Sequence, residues 1–296
     1  FKTWKAQLDA SDPPAATPAL PTAAAADAVY EMISDEIAFQ RWLTTLQQSK
    51  QFAFDLETTS LNYIEAEIVG VSFAMEARQA AYVPLTHDYI DAPAQLPRSD
   101  VLERLRPLLE DPRKIKVGKN TKCEISVLAN YNIALRGAAY DTMLESYVLN
   151  SVGSRHDIDT LALKHLGHKT ISFEDIAGKG AKQIAFNHVG IETASSYAAE
   201  DADVTLRLHE HLWPRLNETP ALVNLYREME LPLVPVLARI ERAGVKIDAA
   251  MLRAQSGELA KKMFELEQQA HELAGQAFNM ASPLQIQEVL FGKLKP

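Results

Sequence analysis

Cysteine is almost absent from this sequence, since Cys123 is the only one among 296 residues. A single cysteine cannot form a disulfide within the chain, which is typical of proteins in a reducing cytoplasm. Apolar runs of about 18 residues, the length that a membrane-spanning helix needs, are also lacking. No basic segment followed by an apolar one opens the chain. We therefore expect a cytoplasmic protein without membrane segments.

Positive charge is scarce as well. The chain has 30 Lys and Arg against 39 Asp and Glu, which gives a formal net charge of −9. That balance argues against broad, non-specific adhesion to phosphate backbones. It does not exclude a nucleic-acid enzyme whose acidic site is neutralised by metal ions. A hydrophobic fraction of 47% is sufficient for sizeable cores.

Three regions are predicted from composition and pattern. The chain begins with Phe1 rather than Met, so we expect a segment of a longer protein. Residues 1–28 read as the end of an upstream domain followed by a Pro- and Ala-rich linker. Residues 29–217 have globular patterning, and residues 218–296 are predicted to be helical throughout.

The order of elements in residues 29–217 indicates a mixed α/β domain. After one amphipathic helix, the segments "QFAFDLE", "EIVGVSFAM" and "QAAYVPL" read as three successive strands of an antiparallel meander. "KIKVGKN" reads as a further strand that leads into a helix, and later helices cover the sheet. In the last region, Ser282 and Pro283 mark the start of a helix.

Acidic residues in three separate segments are the candidates for chemistry. Asp55 and Glu57 end a predicted strand and point to the same side of it. Two carboxylates so close raise each other's pKa unless a cation lies between them. Tyr197 and Asp201 share one helix face, and Glu124 lies on another helix. Oxygen ligands of this kind suit Mg²⁺ or Mn²⁺, and two such ions could serve phosphodiester hydrolysis.

Each of these features alone has a plainer interpretation. An Asp-x-Glu pair is commonly a solvated strand end, and a lone Glu commonly forms a surface ion pair. Glu200 and Asp203, which flank Asp201, are predicted to face solvent, and Cys123 is predicted to be a small buried side chain. A basic concentration either steers a nucleic-acid strand or forms a solvated face; its members are Arg113, Lys114, Lys116, Lys119 and Lys122.

Taken together and in order, the motifs resemble those of a known family. "FAFDLETTSL", the segment from "KVGKNTKCEISVL" to "MLESYVLNS", and "YAAEDADVTLRLH" are similar to the three exonuclease motifs of the 3′–5′ exonuclease domain in the bacterial DNA polymerase I family. The similarity continues through "ELPLVPVLARIERAGVKID", which resembles the helices that open the polymerase thumb. The resemblance implies a ribonuclease H-like mixed sheet, with antiparallel and parallel strands, followed by an all-α thumb stub.

The same resemblance implies roles for individual residues. Asp55, Glu57 and Asp201 would hold a first divalent ion, Mg²⁺ or Mn²⁺, and Asp55 would be shared with a second. Glu124 would serve the second ion through water, and Tyr197 would orient the attacking water beside Glu57.

The implied substrate is the single-stranded or frayed 3′ end of DNA. Leu61 and Phe173 would contact the last bases, and Asn120 would face the backbone of the terminal nucleotide. Arg155 lies in a predicted loop and is a candidate phosphate contact. Covalently linked polymerase and 5′-nuclease domains, a monomeric state and a location at the bacterial nucleoid are further implications.

Two positions depart from the family pattern. Glu124 stands where the family has aspartate, and Cys123 stands where it commonly has tyrosine. The longer acid is compatible with an active site or with a weakened second metal site. The alternatives are therefore an editing exonuclease, an inactive scaffold that supports a polymerase, and a stand-alone exoribonuclease, for which thumb-like helices have no use.

Overall fold

The computed structural model describes residues 28–153 and 155–294. The predicted linker therefore lies, except for its last residue, outside the described residues. The chain divides into two compact units, Phe1–Ala243 and Gly244–Pro296. Among the described residues, no helix combines the length and the apolarity that crossing a membrane requires.

A six-stranded mixed sheet is the centre of the first unit. In chain order its strands are β1 (Val29–Met32), β2 (Gln51–Thr58), β3 (Ile68–Glu76), β4 (Gln79–Pro84), β5 (Ile115–Gly118) and β6 (Ala138–Asp141). They lie side by side in the order β1-β4-β3-β2-β5-β6. The antiparallel meander predicted from the sequence is confirmed by β2, β3 and β4, while β1, β5 and β6 pair in parallel with their neighbours. The edge strands β1 and β6 are not predicted, because their residues are mostly half-buried, whereas the equally short β5 is mostly buried.

Helices cover both faces of the sheet. In the first unit they are α1 (Glu36–Gln48), α2 (Arg98–Glu110), α3 (Thr121–Ala129), α4 (Thr142–Leu149), α5 (Ile158–Leu161), α6 (Phe173–Ala177), α7 (Ile191–Asn217), α8 (Pro220–Leu225) and α9 (Leu231–Ala243). A π-helical turn, Ala162–Leu166, follows α5 where the sequence predicts one continuous helix. Another π-helical turn, Tyr226–Glu230, joins α8 to α9.

Alternation along β2 sorts its side chains between two cores. Phe52 and Phe54 belong to the core that contains residues of α1 and α2. Ala53 points to the other face, where Ala198 and Ala202 of α7 pack on the sheet. Small side chains on both surfaces let a helix approach a sheet closely. Because positions 55 and 57 continue the phase of Ala53, the acidic end of β2 faces α7.

Helices α8 and α9, which the sequence assigns to the thumb, belong to the first unit. Tyr226 is fully buried beside Trp213 of α7, and its hydroxyl accepts a hydrogen bond from the backbone N–H of Asp141 at 2.8 Å. Helix α9 packs against α3, where Arg242 donates to the carbonyl of Ser126 at 2.6 Å. Residues of the predicted thumb therefore support a helix of the predicted exonuclease domain.

The second unit contains only helices among its described residues. They are α10 (Ala249–Ala274) and α11 (Pro283–Gln287), and α11 is followed by a π-helical turn, Glu288–Leu294. The Ser282 hydroxyl caps α11 by accepting from the N–H of Gln285, which confirms the predicted helix start. No residue of α10 is buried.

Candidate active site

A cleft of about 630 Å³ opens beside the C-terminal ends of β2 and β5. Parallel strands end at the same edge of a sheet, so side chains from both strands meet there. Eight of the nine predicted site residues line the cleft: Asp55, Glu57, Leu61, Asn120, Glu124, Phe173, Tyr197 and Asp201. Arg155 does not line it; its side chain is exposed and pairs with Asp157 at 3.0 Å. The contact of Arg155 with a phosphate stays a prediction.

Three carboxylates meet at the floor of the cleft. Asp55 and Glu57 come from β2 and Asp201 from α7, and one oxygen of each lies within 4.8 Å of the others. Asp201 is only 3% exposed, whereas Asp55 and Glu57 keep some exposure. Oxygen ligands of one Mg²⁺ or Mn²⁺ ion lie within about 2.2 Å of the metal and therefore close to one another. The triad has the donor type and the spacing that such an ion needs.

Glu124 joins this triad from the first turn of α3. Its carboxyl group lies close enough to that of Asp55 for the two acids to repel each other, and Glu124 is 5% exposed. Among the described residues, Oε2 of Glu124 and Oδ1 of Asp201 are buried without a hydrogen-bond partner. Buried oxygens without a partner are costly in free energy, and a bound cation would satisfy them. These residues therefore fit a hard divalent cation.

The electrostatics of the four acids agree with that conclusion. Burial raises the pKa of Asp201 to about 7, against the opposing effect of Lys119 and with added repulsion from Asp55. Burial, followed by repulsion from neighbouring acids, raises the pKa of Glu57 and of Glu124 well above the ordinary value for glutamate. Burial also raises the pKa of Asp55. A divalent ion would reverse these shifts, because it favours the charged form of every carboxylate that it contacts.

Lys119 is a basic residue that the sequence does not assign to the acidic site. The parallel pairing of Ala53 with Val117 puts Lys119 level with Asp55, two residues further along each strand. Burial by itself would lower the pKa of Lys119, but the surrounding carboxylates outweigh burial and raise it, with Asp201 first among them. The sequence did contain a signal for this position. Lys119 directly follows a predicted strand, and the residue after a strand parallel to β2 lies at the same edge of the sheet as Asp55.

Of the other four members of the predicted basic concentration, Arg113 is exposed and pairs with Asp111 at 3.0 Å, and the remaining three have structural roles. Lys114 donates to backbone carbonyls at the end of α1. Lys116 is buried and donates to the backbone carbonyl of Asp111 at 2.8 Å. Lys122 pairs with Glu241 of α9 at 2.6 Å. Neither a DNA-steering face nor a simple solvated face describes these three residues.

Aromatic and apolar side chains form the wall above the acids. The ring of Tyr197 lies 6.4 Å from that of Phe173 and 5.9 Å from that of Phe186, a lining residue that the sequence does not single out. Leu61 is 99% exposed at the rim. Cys123 also lines the cleft and is half-buried, so the prediction of a buried cysteine is wrong.

Asn120 links β5 to α3 in a left-handed conformation, with φ of 60°. Asparagine tolerates this region better than most residues, because its short polar side chain bonds locally. Its side-chain amide donates to the Cys123 sulfur at 3.0 Å. The turn thus places an amide at the cleft directly before the helix that carries Glu124.

The two acids beside Asp201 are buried, so the prediction that they face solvent is wrong. Glu200 is 7% exposed and accepts hydrogen bonds from His168 at 2.9 Å and from the backbone N–H of residue 171 at 2.6 Å. Asp203 is fully buried and accepts from the Tyr30 hydroxyl at 2.8 Å. Segments distant in sequence cover both sides of α7, which the helix pattern alone does not reveal.

Comparisons with known proteins identify the family. The family model described as 3′–5′ exonuclease matches residues 30–217. DNA polymerase I of Pseudomonas aeruginosa is 56% identical over 271 residues, which are 91% of this chain and 30% of that protein. DNA polymerase I of Rhizobium leguminosarum is 42% identical over 282 residues, or 90% of this chain and 28% of that protein. The chain thus spans less than a third of these curated relatives.

A solved structure supports the fold. The POL domain of Pol1 from M. smegmatis, in complex with DNA primer-template and dNTP, matches 89% of this chain and 41% of that chain with a TM-score of 0.70. Its identity of 22% shows the fold alone. The predicted fold class, a ribonuclease H-like mixed sheet covered by helices and followed by helical segments, is confirmed. By the match over residues 30–217, this chain belongs to the 3′–5′ exonuclease family found in bacterial DNA polymerase I.

Proposed function

We propose that this chain is the two-metal 3′–5′ exonuclease section of a DNA polymerase I, which removes mismatched nucleotides from the 3′ end during replication and repair. One observation carries the proposal: carboxylate oxygens of Asp55, Glu57 and Asp201, from two distant segments, lie within 4.8 Å of one another. Ionised acids at such a distance repel each other, and a bound cation removes that cost.

The acids would hold two ions of Mg²⁺ or Mn²⁺. Asp55, Glu57 and Asp201 would hold the first, and Asp55 with Glu124 the second. When bound, such ions lower the pKa of a water molecule and stabilise the charge that develops on the scissile phosphate. The carboxylates supply the negative charge that keeps both cations in place.

Tyr197 is proposed to position the attacking water beside Glu57. Burial, and then repulsion from Asp201, raises the pKa of the Tyr197 hydroxyl far above its ordinary value. The hydroxyl therefore stays protonated at neutral pH and can donate a hydrogen bond. Contacts with Phe173 and Phe186 hold the ring in place.

The wall of the cleft is suited to an unpaired strand of any sequence. Leu61 and Phe173 offer apolar surface to the last bases, and stacking on such side chains does not depend on base identity. Asn120 offers an amide to the terminal sugar and phosphate. An editing enzyme has to accept any frayed end, so recognition without base readout fits this use.

The whole protein is proposed to be larger than this chain. Its DNA polymerase I relatives are more than three times longer, which supports covalently linked polymerase and 5′-nuclease domains. On this proposal residues 1–28 belong to an upstream domain and linker, 29–217 to the exonuclease and 218–296 to the start of the polymerase. We further propose that the whole protein is a monomer and acts at the nucleoid in the bacterial cytoplasm.

Digestion of a 3′-labelled single strand in the presence of Mg²⁺ tests the function. Asp55→Ala should abolish release of the terminal nucleotide while circular dichroism shows an intact fold. Glu103→Gln is the matched control, because Glu103 is an exposed acid on α2, away from the cleft. Excision that persisted in Asp55→Ala would refute the assignment of the site.

A scaffold without activity is the second candidate, and Glu124 is the observation that favours it. Its longer side chain already reaches Asp55, which narrows the room for a second ion. Titration with Mn²⁺ separates the candidates, since the exonuclease requires bound ions and the scaffold does not. The similarity to DNA polymerase I over 271 residues extends well past residue 217 and argues against a stand-alone exoribonuclease.

A further inference from the structure

We propose that the ammonium group of Lys119 is the resident counter-cation of the acidic cluster and competes with the second divalent ion, so that this lysine weakens the binding of that ion. This inference rests on the metal site of the proposed function and adds a residue to it.

The backbone places Lys119 between β2 and α3, two of the three elements that carry the acids. It continues β5 at the level of Asp55 on β2, and the turn at Asn120 follows at once. Helix α3 then begins and brings Glu124 over the same cleft. Lys119 therefore lies at the same edge of the sheet as Asp55 and Glu124, the proposed ligands of the second ion.

The charges that line the cleft show why this lysine matters. Four carboxylates face it, and Lys119 is the only basic side chain among the described lining residues. With all four carboxylates ionised, as metal ligands are, the five groups have a surplus of three negative charges. A first divalent ion leaves one negative charge, whereas a second would make the cluster positive. With a neutral residue in place of Lys119 the surplus would be four, which two divalent ions balance.

The ammonium charge is shared among the acids. It interacts with Asp201, Asp55, Glu124 and Glu57. Within residues 28–153 and 155–294, Lys119 forms no close ion pair with any one of them. A charge shared in this way stabilises the cluster before metal binds. The Lys119 side chain can then be displaced by a metal ion without loss of a direct hydrogen bond.

Binding of Mn²⁺ to the full 296-residue chain, followed by electron paramagnetic resonance and calorimetry without nucleic acid, tests the inference. In the wild type the second ion should bind at least about tenfold more weakly than the first, because an added unit charge within roughly 10 Å changes the affinity for a divalent ion by that factor or more. Lys119→Gln keeps the length of the side chain without its charge and should tighten the second ion by about tenfold.

Two further variants separate charge from shape. Lys119→Arg keeps the charge and should retain the weak second ion. Lys122→Gln is the matched control, because Lys122 lies three residues on, pairs with Glu241 and should leave both affinities unchanged. Circular dichroism and thermal unfolding verify that each variant is folded.

Three outcomes would overturn the inference. The first is equal affinity of both ions in the wild type, which needs no variant. The second is an unchanged second affinity in Lys119→Gln, and the third is a Lys119→Arg variant that behaves like Lys119→Gln. If neither the wild type nor any variant binds Mn²⁺, the metal site of the proposed function is refuted too. In the other three outcomes Mn²⁺ still binds, so they refute only the role of Lys119.

Discussion

Helix α7 carries two kinds of buried acid within four residues. Glu200 and Asp203 accept hydrogen bonds from an imidazole, a phenol and backbone N–H groups, and Asp203 also pairs with Arg207 at 3.2 Å. Asp201 lies between them and is buried to a similar degree, but it faces other carboxylates and the ammonium group of Lys119, and its Oδ1 has no hydrogen-bond partner. Burial of an acid on this helix therefore does not indicate function.

What distinguishes the two kinds is whether the protein itself satisfies the charge. A buried carboxylate with donors around it stabilises the fold, and removal of its partners is costly. A buried carboxylate among like charges costs free energy until a cation binds. Asp201 is thus the buried acid of α7 that lowers the stability of the metal-free protein.

The largest effect is expected from Asp201→Asn. It removes a proposed metal ligand but keeps the size of the side chain, so excision should fall about 10³-fold, as expected for the loss of several kcal/mol of charge stabilisation. The metal-free protein should be as stable as the wild type or more stable, because one repelling charge is gone. Excision assays and chemical denaturation measure both quantities. If Asp201→Asn lost stability as well as activity, Asp201 would be an acid that stabilises the fold, as Glu200 and Asp203 are.

Asp203→Ala should have the opposite profile. It leaves Arg207 and the Tyr30 hydroxyl without their buried acceptor, so the free energy of unfolding should fall by about 3 kcal/mol. Urea denaturation measures the change. Glu210→Ala, at an exposed position of the same helix, is the control and should stay within about 0.5 kcal/mol of the wild type. If Asp203→Ala were neutral, its partners would not be stabilising the fold.

The pH dependence of the metal-free protein sharpens the comparison. Burial, with repulsion from Asp55, Asp159 and Glu200 and against the effect of Lys119, raises the pKa of Asp201 to about 7. Between pH ~4 and ~7 only the folded state then holds the proton, so the free energy of unfolding falls as pH rises, by up to about 1.4 kcal/mol per pH unit. Denaturation of the wild type minus that of Asp201→Asn isolates this slope. If the difference in the free energy of unfolding between the two proteins did not change with pH, the raised pKa of Asp201 would be contradicted.

Glu124→Asp tests the departure from the family pattern. The shorter acid withdraws from Asp55 and matches the aspartate that the resemblance implies, so excision should rise about tenfold, since errors below 1 Å in such sites cost rate. Glu124→Gln is the control and should lower the rate, because it removes the charge. An unchanged rate in Glu124→Asp would mean that the longer acid serves equally well.

The smallest effect is expected from Glu241→Gln. Glu241 accepts from the Tyr63 hydroxyl and from Lys122, and its side chain is 31% exposed. Exposed ion pairs contribute roughly 0–1 kcal/mol, so thermal unfolding should change little and excision should not change. A greater loss would show that the contact between α9 and α3 is a main support of the site.

Much of the fold was predictable from local patterns. Period-two alternation and turn residues predict β2, β3 and β4, and a long apolar stripe predicts α7. The edge strands β1 and β6 were not predictable, because their mostly half-buried residues have no clear apolar pattern, unlike the equally short but buried β5. The π-helical turn after α5 also escapes prediction, since its apolar spacing is that of an ordinary helix.

The site was predictable in part. Asp55, Glu57 and Asp201 come together as expected, with Glu124 beside them. Their catalytic roles, and the role of Arg155, stay predictions. Lys119 was grouped with other basic residues by its place in the sequence, although its strand sends it into the acidic cluster.

The sequence alone determined the family, most of the order of elements and the acids that line the cleft, because strand alternation, helix phase and motif spacing are local properties of the chain. Only the tertiary structure decided which buried charge meets which partner. The donors around Glu200 and Asp203, and the lysine beside Asp55, come from segments distant in sequence. Whether a buried carboxylate is satisfied or repelled depends on those neighbours.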